Sequence, residues 1–143
     1  MQRTPNWDVA LVEYASVMQG RPFKYGSTDC GTLVRGALRV MYGKDMLRGM
    51  GSYRSLKAAR KVTRSVGSVP DYLKDRLGCE RIRRNFVQAG DIVVLPGEDR
   101  RMPQLALVVG GKLMVSRVAT GVQIISLPTG RWPRGSVILR VPQ

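Results

Sequence analysis

Residues 21 to 43, RPFKYGSTDCGTLVRGALRVMYG, set a cysteine where a reactive thiol would be mounted. A glycine turn leads into Ser27-Thr28-Asp29, and Cys30 then opens a stretch of helical periodicity. Backbone N–H groups and the helix dipole at such an end favour thiolate, the nucleophilic form of cysteine. A thiol hydrolase also needs a base to take the proton and a third polar residue to orient that base. The usual base is histidine, and the 143-residue chain contains none. Asp29 and Asp91 are the nearest acidic candidates, and neither is well spaced for the task. Asp91 lacks a second carboxylate near it in sequence, so glycosidase-like chemistry has no support.

Several elements must position this thiol. Residues 8 to 19 read as a helix, started by Asn6 or Asp8 and ended by Gly20. From Cys30 the apolar residues Leu33, Val34, Ala37, Leu38 and Met41 fall on one helical face. Ser27, Thr28 or Asp29 can cap that helix and Gly43 stops it. Cys30 lies on the same apolar face, so a buried core thiol is the bland alternative. Residues 55 to 66 form a helix with Leu56, Ala59, Val62 and Val66 on one side and Lys57, Arg60, Lys61 and Arg64 on the other. Residues 69 to 78 form a shorter one, and Cys79 after it reads as a small packed residue.

The texture then changes to short β-rich runs: GDIVVLP, QLALVVGG, KLMVSRV, GVQIISL and SVILRV. Gly110-Gly111 between two of them marks a hairpin. Helices first and strands second imply one α+β domain over 1–143, helical over about 7–78 and β over about 80–141. The sheet is expected to be largely antiparallel, of about five or six strands. The closing RWPRGSVILRV either completes it or docks on a neighbour.

Three segments resemble the NlpC-type cell-wall peptidases, a papain-like family that cleaves peptidoglycan stem peptides. FKYGSTDCGTLV is similar to that family's aromatic–glycine approach to Asp-Cys and a helix. QAGDIVVLP is similar to its Gly-Asp-hydrophobic strand, and QLALVVGGKLMVSR to its base strand, turn and following strand. The resemblance covers roughly residues 7 to 127. It implies Cys30 at the nucleophile position, Gln104 where the histidine stands, Ser116 at or beside the third polar position, and Tyr25 with Asp29 lining the cleft. A glutamine amide accepts no proton near neutral pH, and losing the base from a triad removes orders of magnitude of rate. The expectation is therefore a catalytically inactive relic with Gln104 facing Cys30.

Small basic members of this kind are similar to those of tailed phages, which implies a tail or tail-tip structural or adaptor protein. It would be made in the host cytoplasm, reside in the virion and contact other tail proteins. Composition adds that 24 Lys and Arg against 10 Asp and Glu give a net charge of +14. The pI is near 10.9. Such a charge calls for an anionic neighbour: an acidic protein surface, a cell envelope or nucleic acid. Between Arg35 and Arg64 nine basic residues accompany a single acid, Asp45, and Arg81, Arg83 and Arg84 follow. The face of Lys57, Arg60, Lys61 and Arg64 is the expected partner surface. Two cysteines without histidine make no four-ligand zinc site, and neither a metal nor another cofactor is expected. No apolar run approaches the roughly 20 residues of a membrane span. Asp8 and Glu13 interrupt the N-terminal apolar stretch, against a signal peptide. Two other functions remain open: an active peptidoglycan peptidase or amidase using Cys30 with an unusual or partner-supplied base, and a nucleic-acid-binding module.

Overall fold

The computed structural model describes residues 2–97 and 102–143. Among the described residues four α-helices precede all six strands: α1 (Trp7–Met18), α2 (Cys30–Tyr42), α3 (Leu56–Val66) and α4 (Val69–Leu77). Their ends follow local chemistry. The Asp29 carboxylate accepts the Thr32 amide to cap α2, and Gly43, at φ 73°, closes it by donating to the Arg39 carbonyl. Ser55 and Ser68 cap α3 and α4 through the amides of Ala58 and Asp71. Pro70 stands in the first turn of α4, where its missing N–H costs no helical bond.

The strands are β1 (Glu80–Ile82), β2 (Ile92–Leu95), β3 (Gln104–Val109), β4 (Lys112–Arg117), β5 (Gly121–Ser126) and β6 (Val137–Arg140). They form one sheet in the order β1-β6-β2-β3-β4-β5, and every neighbouring pair is antiparallel. The protein is thus an α+β fold with a six-stranded antiparallel sheet. Residues 137–140 complete that sheet, entering between β1 and β2.

Both faces of the central strands are covered, which is why IVVL and QLALVV read as continuous apolar runs. Leu105, Leu107 and Met114 point toward α1 and α2 and join Leu33, Leu38 and Met41 in the larger core. Val93, Ala106, Val108 and Val115 point the other way and pack beneath Trp132. α2 lies across β3 and β4, while α4 packs against β6. This arrangement presses the N-terminus of α2 against the start of β3.

Candidate functional site

The site is built from the turn before α2. The amides of Ser27, Thr28 and Asp29 all donate to the Lys24 carbonyl at 3.0–3.2 Å. Gly26 has φ 81°, and a Cβ there would meet the Tyr53 carbonyl oxygen at 2.2 Å. Only glycine fits so close an approach in that conformation. Asp29, 3% exposed, holds the turn together. Its Oδ1 accepts the Gly26 amide at 2.8 Å and the Thr32 hydroxyl at 2.7 Å. Its Oδ2 accepts the Thr32 amide at 3.2 Å and the Tyr53 hydroxyl. Burial first, then the charge of Asp29, pushes the Tyr53 phenol far above its ordinary range, so it stays a donor. Asp29 is consumed as a structural acceptor and is not poised as a base.

Cys30 is the first residue of α2, half-buried and packed against the larger core. Its thiol pKa is raised. Burial is the dominant cause; the Leu105 backbone amide works against it, Asp29 adds to the rise, and the amides at the helix end offset only part. Desolvation therefore beats the helix end, and the thiol stays protonated near neutral pH. The space before Cys30 is a cavity of about 60 Å³ shared with Tyr53, Val62, Val66, Tyr72 and Leu105. Ligand pockets run to roughly 300–1,000 Å³. Here α3 and α4 wall off the room a peptide would need.

Gln104 does not face the thiol. It pairs with Leu95, which belongs to the face under Trp132, whereas Leu105 and its partner Val94 belong to the face beneath the helices. Side chains alternate along a strand, so the β3 residue turned toward Cys30 is Leu105, which carries no acid–base group. The Gln104 amide instead donates to the Ser116 carbonyl at 3.1 Å. Ser116 does lie on the Cys30 side, 3% exposed, but its hydroxyl donates to the Thr28 carbonyl and so fastens β4 to the turn. Tyr25 packs edge-on against Phe23 at 4.9 Å and does not wall the cavity.

Asp91 is fully buried at the mouth of β2 and takes both arms of Arg140, from Nε and Nη2, at 2.9 Å each. Cys79 packs against the larger core, and burial, then the charge of Asp91, pushes its thiol up to about 11. Lys57, Arg60, Lys61 and Arg64 are exposed on α3 as the periodicity requires. Tyr53, Leu105 and Arg140 carry the geometry yet were not among the candidates. A strand-parity argument anchored on the apolar partners of β2 would have found Leu105.

Among the described residues no group of three or more His, Cys, Asp or Glu could hold a metal ion, and no helix is long and apolar enough to cross a membrane. The elements define a thiol-bearing α+β fold in which a cysteine opens a helix laid on an antiparallel sheet, with a half-buried thiol whose pKa burial raises. The chain belongs to the family described as a domain of unknown function, DUF6950, whose model matches residues 2–131. No curated protein matches it. The family match stops short of β6, although that strand lies within the sheet.

Proposed function

We propose that the protein is a catalytically inactive papain-like domain serving as a structural or adaptor component of a phage tail or tail tip. The observation that carries the inactive half of this reading is what surrounds Cys30: a raised thiol pKa, Leu105 rather than a base across from it, and Asp29 saturated by its own donors. The tail placement rests on the resemblance of the Asp-Cys helix and Gly-Asp strand motifs to NlpC-type peptidases, and on the basic, compact character of the chain. The exposed Lys57, Arg60, Lys61 and Arg64 suit an acidic neighbour within such an assembly.

The test is the pH-dependent alkylation rate of Cys30 in a Cys79→Ala background, with peptidoglycan digestion measured alongside. A thiol that reacts only above its free value of about 8.5, with no digestion, is expected. Fast alkylation at neutral pH or release of cleaved stem peptides would overturn the inactive reading. Leu105→His is expected to speed alkylation at neutral pH and Gln104→His to leave it unchanged. Detection of the protein in purified virions is the expected outcome for the tail assignment, and its absence from tails would end that part.

A further inference from the structure

The β1 end of the sheet combines features that the Cys30 site does not use. β1 is the outermost strand and pairs with β6, and among the described residues its other edge has no strand partner. Beside it opens a depression of about 530 Å³, lined by the paired Ile82 and Ile138 together with Arg83, Arg84, Asn85 and Ser136. Arg81 contributes as well. That volume lies within the range of ligand sites. The side chains of Arg81, Arg83 and Arg84 have no hydrogen-bond or ion-pair partner among the described residues. Glu80 is the one acid on the strand, and its charge acts on Arg140.

The wall of the depression is held in place. Arg84–Phe86 is a single 3-10 turn, and Arg140 Nη2 donates to the Phe86 carbonyl at 2.7 Å while its guanidinium grips Asp91. Asp91 in turn accepts the Gln88 amide at 2.8 Å. A buried ion pair therefore fixes the turn that carries the arginines, and a fixed site spends less of its binding free energy on ordering itself.

We infer that this edge binds an extended, acidic peptide segment of a partner protein, added as a strand to β1, with carboxylates on Arg81, Arg83 and Arg84 and apolar side chains over the partly exposed Ile82. Strand addition uses the backbone groups of an open edge for affinity and alternate side chains for specificity. Guanidiniums without protein partners are the natural receptors for carboxylates. Charged residues on an edge strand also serve simply to discourage pairing. That purpose needs neither a depression nor an apolar floor. A phosphate backbone would satisfy the arginines but would leave the strand edge and Ile82 unused. Phe86, 59% exposed on the same turn, suits an apolar side chain or a base, which makes an oligonucleotide the competing probe. The inference stands whether or not Cys30 is reactive.

The test uses the full chain and a labelled peptide of about ten alternating valine and glutamate residues, followed by fluorescence anisotropy at about 50 mM salt. Arg81→Glu/Arg83→Glu/Arg84→Glu is expected to weaken binding by about tenfold or more. Lys57→Glu/Lys61→Glu/Arg64→Glu, the same change of net charge on α3, is expected to weaken it by less than about threefold. A peptide N-methylated at alternate amides should lose binding to the wild-type protein, an arm that needs no variant to fold. Equal losses in the two variants would reduce the effect to net charge and overturn the site. So would failure of the peptide to bind, full binding of the N-methylated peptide, or tighter binding of an oligothymidylate than of the peptide.

Discussion

Asp29 and Asp91 are both buried at the mouth of an element, and each closes its turn by accepting an amide from three residues back, Gly26 in one case and Gln88 in the other. Beyond that they part. Asp29 is satisfied entirely by neutral donors: two amides, the Thr32 hydroxyl and the Tyr53 phenol. Asp91 meets a guanidinium with both oxygens. The first arrangement stabilises a carboxylate without cancelling its charge, and that charge falls on Cys30 and raises its pKa. The second neutralises the charge where it sits and spends it on fixing a turn. A cysteine at a helix N-terminus is thus no guarantee of a thiolate; burial and the uncancelled neighbour decide.

Breaking the Asp91 side should have the larger effect. Arg140→Ala strands a carboxylate that has no exposure, and removing one partner of a buried pair costs about 3–5 kcal/mol. Urea unfolding should show a loss near the lower end of that range, because Arg140 itself is partly exposed. A loss under about 1 kcal/mol would mean that Asp91 is held by its turn and not by the ion pair.

On the Asp29 side the expected cost is smaller. Asp29→Ala removes a helix cap and leaves the Tyr53 hydroxyl without its acceptor, for about 2 kcal/mol by the same measurement. Asp29→Asn removes the charge while keeping the shape, so the Cys30 thiol pKa should fall yet stay above the free value, since burial is the larger cause. A pH profile of alkylation reads this directly. An unchanged profile would remove Asp29 from the account of the thiol.

The smallest effect is expected at Asp45, where the two-armed guanidinium geometry recurs close to solvent. Arg35 Nε and Nη2 lie at 2.9 and 2.6 Å from its oxygens, and Arg35 is the main cause that lowers its pKa from 3.8 to about 2. A depressed carboxylate pKa adds stability above the unfolded value and loses it as pH falls through the folded one. Asp45→Asn should therefore be less stable than the wild type at pH 7, by no more than about 1 kcal/mol, and indistinguishable below about pH 2. A gap that persists in acid would show that the charge is not what matters.

Local signals were readable wherever a single residue determines an end. Ser55, Ser68 and Asp29 cap helices as their types suggest, Gly43 stops α2, and the Gly110-Gly111 pair turns β3 into β4. What escaped depends on partners distant in the chain. Glu80–Ile82 is too short and too charged to read as a strand; it is one because β6 lies beside it. Tyr53 reaches back 24 residues to Asp29, and Arg140 reaches back 49 to Asp91. Nothing in either neighbourhood announces this. Gln104 shows the finest grain of the problem, because an error of one residue in a strand turns a side chain to the opposite face.

The position of β6 has a consequence for how the protein is made. Translation delivers β1, at residues 80–82, long before residues 137–140, yet among the described residues β6 is the strand beside which β1 lies. Until β6 leaves the ribosome, β1 and β2 are separated by an empty slot, and both borders of that slot are unsatisfied strand edges. Pairings so far apart in sequence form late, and nascent chains with open edges depend on chaperones or crowd together. A polypeptide cut short before residue 137 would keep that gap unfilled, with two open strand edges facing each other across it.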